Sequence, residues 1–268
     1  MKLRLILPLL VLAVAALGPW VPVGSPTAPV AGPFESWSGA HVLGTDILGR
    51  DVLARVLAGG RMLVVQAAVA TLLGSVVGLG VGVWAGMTHR HRAARFTVRG
   101  IDALAALPGI LLLLVLATGA PGSGAAIVAA SVLVSVPFSV RVNRERVAAL
   151  VRTDYARAAQ ARGDTVATRL RYDIAPGLAP TALAEAGIRF VAAVQLAATA
   201  GFLGLGASAP AANWGRMVQE NSAGLTTNPL PVVVPAFLLV VLAVGVTFLL
   251  DHLAGRVLGE ADRIGAGR

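Results

Sequence analysis

The chain has 268 residues, of which 56% are hydrophobic and only 13% charged, with no cysteine and a single lysine, Lys2. A soluble domain carries about a quarter charged residues, so this balance, with a mean hydropathy of +0.79, indicates an integral membrane protein, which the length of its apolar runs makes all-α. Missing thiols exclude disulfides and Cys-ligated metals, and the lone Lys2 excludes a Walker A loop, so ATP is not bound here by a P-loop. The net charge of +9 is not a nucleic-acid footprint, because aromatic residues make up only 5% and the arginines flank apolar runs.

A spanning helix needs roughly 20 apolar residues. Candidate runs lie at 5–23, 62–87, 103–120, 123–140, 181–205 and 230–250. Lys2 and Arg4, then Arg90, Arg92, Arg95 and Arg99, then eight arginines from Arg141 to Arg171, then Arg256, Arg263 and Arg268, all fall in alternate loops. The other loops hold only Arg50, Arg55, Arg61 and Arg216. The positive-inside rule therefore gives six spans in the cell membrane with both termini cytoplasmic. Residues 1–23 have two readings, a first transmembrane helix or a signal-like anchor, because a short apolar run and Ala13-Val14-Ala15 also suit a secretory signal.

Residues 24–61 form an extracytoplasmic connector, without a regular element from Gly24 to Gly39. Thr45-Asp46 reads as a helix cap ahead of Ile47, Leu48 and Leu53. Asp46 and Asp51 with Arg50 and Arg55 could bind a charged substrate, pair with one another, or position an external partner. The second run carries Gly74, Gly78, Gly82 and Gly86 at four-residue intervals, which places a groove for close helix packing along one face. His89 and His91 lie within a His-Arg-His-Arg run, where neighbouring positive charge opposes a metal. Asp102 is expected at the start of the third span, favoured by the helix dipole. Pro121-Gly122-Ser123-Gly124 breaks the third run from the fourth as a tight hairpin.

The cytoplasmic loop 141–180 is expected to fold as a short helix through Tyr155, Ala158, Ala159 and Arg162, a stop at Gly163, and a second helix capped by Asp164 or Thr165. Glu185 and Arg189 stand four apart in the favoured order, as a structural pair or a gate. Gln195 is a polar amide deep in the fifth span, placed either to line a pathway or to bond a neighbouring helix. Paired carboxylates and a Ser-His-Asp set are not apparent, which leaves an intramembrane hydrolase without support.

Three ordered motifs resemble one family. Ala158-Ala159, Gly163, Ile174 and Pro176 resemble the EAA loop of bacterial ABC importer permeases. Gly44-Thr45-Asp46-Ile47-Leu48-Gly49-Arg50-Asp51, followed by Arg55 and Arg61, is similar to the signature of C-type subunits of dipeptide, oligopeptide and nickel permeases. Phe202-Leu203-Gly204-Leu205-Gly206, then Pro210 and Trp214-Gly215-Arg216-Met217, is similar to that subfamily's segment after the fifth span. The likeness runs from about residue 41 to 258. Two departures stand out: Arg157 occupies a position that is usually Glu, and Ala197 one that is often Glu.

The resemblance implies a type I ABC importer permease fold, with a five-helix core over 62–258 and a cytoplasmic tail at 259–268. It implies a second permease subunit, two separate P-loop ATPase subunits that bind ATP and Mg, an extracytoplasmic solute-binding protein, and no catalysis or cofactor in this chain. Tyr155, Arg157, Ala158, Ala159, Gly163, Asp164, Ile174 and Pro176 would couple to the ATPase. The function implied is import of di- or oligopeptides. Alternatives are a nickel or metal-chelate permease, an autonomous ion-driven carrier, and a non-transporting membrane scaffold.

Overall fold

A computed structural model describes residues 3–88, 90–206 and 211–266. Lys2, His89, Pro210 and Arg268 lie outside the described residues. The regular elements among the described residues are all helical, with extended pairing limited to isolated bridges such as Pro29 with Arg50. In chain order the helices are α1 (Leu3–Leu17), α2 (Val52–Met87), α3 (His91–Ala105), α4 (Gly109–Gly119), α5 (Gly124–Val151), α6 (Asp154–Ala161), α7 (Val166–Arg169), α8 (Ala175–Phe202), α9 (Trp214–Asn221) and α10 (Leu230–Ala266).

Among the described residues four helical stretches are long and apolar enough to cross a membrane: Val52–Met87, Gly124–Val151, Val166–Phe202 and Leu230–Leu250. A fifth is reached if the broken pair α3 and α4 counts as one span. The expected third span, 103–120, is not one helix, because the chain breaks at Leu107-Pro108, where proline cannot continue the hydrogen-bond ladder. The first run, 5–23, also shortens, since Gly18-Pro19-Trp20 closes α1 in a 3₁₀ turn. The second helix is longer than its apolar core and starts at Val52, so Arg55 and Arg61 lie within it. Likewise α5 continues past residue 140 to Val151.

The chain divides into two compact units. Unit 1 comprises Met1–Ala70, Ile110–Ser131 and Phe190–Val246. Its centre is Trp214, fully buried, whose indole Nε1–H donates to the Val56 carbonyl at 2.8 Å. Gly59 and Gly60 of α2 make room for that ring: a Cβ on Gly60 would lie 2.5 Å from its Cζ2. The connector is pinned by Asn228, whose Nδ2 donates to the Glu35 carbonyl at 3.0 Å.

Unit 2 comprises Thr71–Gly109, Val132–Arg189 and Thr247–Arg268. Here the glycine face of α2 meets α5 in register. Gly74 lies against Ser135, Gly78 against Ser139, Gly82 against Asn143 and Gly86 against Val147. Without Cβ atoms the backbones approach closely, and dispersion then replaces the hydrophobic drive that lipid cannot supply. Two apolar clusters flank this seam. One joins Ala85, Ala94, Val98, Val136 and Val140, which seats α3 on α2 and α5. The other joins Val147, Leu150, Ile174 and Leu178.

Asp102 stands near the C-terminal end of α3 rather than at the start of a span. A helix dipole disfavours an acid there, and Arg141 compensates by donating from Nη2 to Asp102 at 2.9 Å.

At Gly82 an added Cβ would come within 2.8 Å of the Asn143 Cβ, whereas at Gly80 it meets nothing within 4 Å. Gly82→Leu is expected to cost about 1–3 kcal/mol through overpacking and to lower the unfolding midpoint in detergent, with Gly80→Ala neutral. Equal midpoints for the two variants would refute the seam as a determinant of stability.

Candidate functional site

Two assemblies of side chains stand out, one in each unit. The first is built from the 44–51 motif. Thr45 does not cap a helix: its hydroxyl donates to the Gly32 carbonyl at 2.6 Å and accepts from the Glu35 N–H at 2.8 Å. Asp46 instead forms a turn, its Oδ1 accepting from the N–H groups of Leu48 at 2.8 Å and Arg50 at 2.9 Å. The cap of α2 is Asp51, which accepts from Ala54 N–H at 2.8 Å. Helix α2 therefore begins six residues after the expected Asp46 cap, because the Asp46 side chain is already committed within its own turn. Gly44 and Gly49 shape the loop at φ +69° and +71°.

Asp46 then acts as the hub of a buried ion network. Its Oδ2 accepts from Arg50 Nε at 2.7 Å and from Arg55 Nη1. Glu220 of α9 closes the set, its Oε2 taking Arg50 Nη2 at 3.0 Å and Arg55 Nη2 at 2.9 Å. Two acids and two arginines balance, which is what burial of Asp46, Arg50 and Arg55 requires. Of the expected members Asp46, Arg50 and Arg55 come together. Asp51 does not, and pairs with His41 at 2.8 Å. Glu220 was missed by sequence reasoning. Its signal was an acid shortly after the Trp214-Gly215-Arg216-Met217 motif, but nothing in the spacing revealed that α9 would meet a turn about 170 residues earlier.

The second assembly is the loop of unit 2, where α6, a turn and α7 appear as expected. Gly163 adopts φ +82°, and Gly163 N–H bonds the Gln160 carbonyl at 3.1 Å while Asp164 N–H bonds Ala159 at 3.1 Å. This is a Schellman closure, which needs a left-handed residue that glycine supplies without strain. Thr165, not Asp164, caps α7, accepting from Thr168 N–H at 3.2 Å. Asp164 instead pairs with Arg162 at 3.0 Å. A single π turn, Leu170–Ile174, joins α7 to α8.

Tyr155, Arg157, Ala158, Gly163 and Pro176 are exposed. Ala159 and Ile174 are fully buried within the chain, one in α6 and the other at the end of the π turn. Tyr155 OH also donates to the Asp173 carbonyl, at 3.4 Å.

Deeper in unit 2, Glu185 and Arg189 pair at 3.1 Å as their spacing required, and Ser139 Oγ donates to Glu185 Oε2 at 3.2 Å. Arg189 also stacks over the Phe138 ring, 5.2 Å from its centroid. In unit 1, Gln195 is exposed on α8, while Ala197 is buried. The helix α8 ends in the same Schellman geometry as α6, with Gly204 at φ +73° and Leu205 N–H on the Ala200 carbonyl at 2.8 Å.

The family described as "Binding-protein-dependent transport system inner membrane component" matches residues 78–259, from the glycine face of α2 through the loop to α10. The chain belongs to that family. A glutathione transport system permease protein of Pectobacterium atrosepticum is 33% identical over 228 residues, 85% of this chain and 73% of that protein. A dipeptide transport system permease protein of Alkalihalophilus pseudofirmus is 30% identical over 217 residues, 81% of this chain and 71% of that protein. A chain from inward-facing structures of the MetNI methionine ABC transporter shares the fold, with a TM-score of 0.64 at 21% identity over 76% of this chain and 96% of that chain. The protein is thus a multi-pass membrane permease of the ABC importer class.

Removing one member of a buried ion network leaves its partner charged and unpaired, at a cost of about 3–5 kcal/mol. Glu220→Gln in the permease is expected to expose the 29–51 segment to limited proteolysis, with a milder effect for His41→Asn. Protection equal to wild type in Glu220→Gln would show that Asp46 alone holds both arginines.

Proposed function

We propose that this chain is one permease subunit of an ATP-driven importer of di- and oligopeptides. It pairs with a second permease, and two separate P-loop ATPase subunits carrying ATP and Mg dock beneath it. An extracytoplasmic solute-binding protein delivers substrate to the face that carries residues 24–61. The arrangement has the type I importer fold with six spans, α1 being the first and the α3–α4 pair the third, and both termini in the cytoplasm. The core is residues 62–258 and the tail 259–268.

The observation that carries this reading is the α6–Gly163–α7 loop. Its backbone is closed by a Schellman turn on one side and the Thr165 cap on the other, so it is a stiff element rather than a solvated linker. Stiffness is what a coupling element needs, because motion in an ATPase reaches the spans only through a lever that does not bend. Tyr155, Arg157, Ala158, Gly163 and Pro176 supply its exposed face, and the small side chains let a partner surface approach. Asp164 holds Arg162 in place, and Ala159 and Ile174 anchor the lever to the core. Closure of the ATPases on ATP then rocks the permease between inward and outward access. The peptide assignment is supported by the glutathione and dipeptide transport named for relatives at 30–33% identity. Glu185 and Arg189, tied to Ser139, serve as a structural brace of the pathway wall, and the exposed Gln195 faces the pathway or the second permease.

Affinity purification in mild detergent from the host is expected to recover a second permease and P-loop ATPases. Gly163→Val, strained at a positive φ, is expected to lower uptake of a labelled dipeptide at least about tenfold while membrane insertion is kept. Arg157→Glu is expected to reduce ATPase recovery. A chain that purifies alone and moves solute without ATP would overturn the importer reading, and peptide uptake unchanged in Gly163→Val would overturn the coupling role.

A further inference from the structure

Unit 2 carries a groove of about 600 Å³ that the transport reading does not use. It runs along the C-terminal third of α2 and ends against α7. Its floor is aliphatic: Leu79, Val83, Met87 and Leu170 lie along it and pack from behind onto the Val147–Leu150–Ile174–Leu178 cluster. Trp84, partly exposed, stands on its wall, and Gly80 leaves the adjoining surface open, since a Cβ there meets nothing within 4 Å.

One residue of the lining is out of keeping with the rest. Arg169 is 91% buried by its 9% relative exposure, and its Nε–H has no hydrogen-bond acceptor. The only side-chain partner of its guanidinium among the described residues is Gln160 Oε1, at a long 3.4 Å and neutral. A buried cation without an anion is costly, and a donor left unpaired adds to that cost. Residues following the same end of α2 are strongly basic, with Arg90, Arg92, Arg95 and Arg99 all exposed.

We propose that this groove is a binding site for an anionic phospholipid. An acyl chain lies along Leu79, Val83 and Met87, and the phosphate accepts from Arg169. The groove complements such a lipid at both ends. The groove opens on a helix that crosses the membrane, so hydrocarbon is the medium that meets its aliphatic floor. An indole at such a level is the side chain favoured where acyl chains give way to headgroups. The exposed arginines that follow concentrate anionic lipid at this end of α2, and basic pockets between spans are known to take such headgroups. Because Arg169 closes α7 and its neighbour Leu170 begins the π turn, the lipid would rest against the base of the coupling loop. The site itself does not depend on the importer reading.

Native mass spectrometry of the protein, with whatever subunits accompany it, released from nanodiscs containing phosphatidylglycerol and phosphatidylcholine, tests the assignment. Wild type is expected to retain phosphatidylglycerol over phosphatidylcholine by at least about tenfold, a preference that Arg169→Gln abolishes and Arg169→Lys largely restores. Gly80→Phe, which adds its ring where the space is open, is expected to lower retention of both lipids at this site while the unfolding midpoint stays at the wild-type value. Wild-type lipid selectivity in both Arg169→Gln and Gly80→Phe would overturn the proposal. So would a photo-crosslinker at position 80 that, in native membranes, captures a protein segment instead of lipid.

Discussion

Close approach of α2 and α5 is the contact on which unit 2 depends. In lipid, two apolar helices gain nothing by hiding from their surroundings, and only denser packing than the acyl chains can offer will hold them together. Four glycines one helical turn apart provide it, each receiving a side chain from α5 at the same spacing. Three side chains in that row are polar, Ser135, Ser139 and Asn143, each set against a glycine of α2. From there Ser139 reaches Glu185 and Asn143 Nδ2 donates back to the Ser139 carbonyl at 2.8 Å. The seam thus fixes where an acid can be tolerated in a span, and the acid in turn fixes Arg189.

Unit 1 is organised on a different principle. Its connector has no helix or sheet from Val21 to Asp51 beyond isolated bridges, so its backbone polar groups must be satisfied one at a time. Thr45, Asp46 and Asn228 do this, and the Asp46–Arg50–Arg55–Glu220 network ties the result to α2 and α9. Such a network adds little net stability over an apolar core, but it tolerates few alternative arrangements, because every misplaced member leaves a buried charge unpaired. That intolerance holds the connector to one defined shape.

Much of the loop in unit 2 was legible before the fold. Small residues at helical spacing, a glycine where the helix stops and a Thr after it are local signals, and local hydrogen bonds honour them: Gly163 closes α6 and Thr165 caps α7. The same holds for the Glu185–Arg189 pair, whose geometry is set by one turn of helix. Other local readings lost to competing contacts. Asp46 could have capped a helix but was taken by two arginines, and Asp164 lost the cap to Thr165 and went to Arg162. Burial of Ala159 and Ile174 was not legible either, since a motif names the residues of an interface without saying which ones face it.

Composition and the length of the apolar runs determined that this is a helical membrane protein without thiol chemistry or a P-loop, and three short motifs pointed to the permease family, because these properties are carried by residue counts and by neighbours along the chain. Tertiary structure decided what long separation hides. It brought Glu220 to Asp46 and its arginines, set Ser139 on Glu185, broke the third apolar run at Pro108, and left Arg169 buried beside an aliphatic groove with an unused donor. The division has one physical cause. Hydropathy, caps and glycine turns act over a few residues and can be read from the chain, whereas the pairing of buried charges depends on which helices pack, and that is known only once they have.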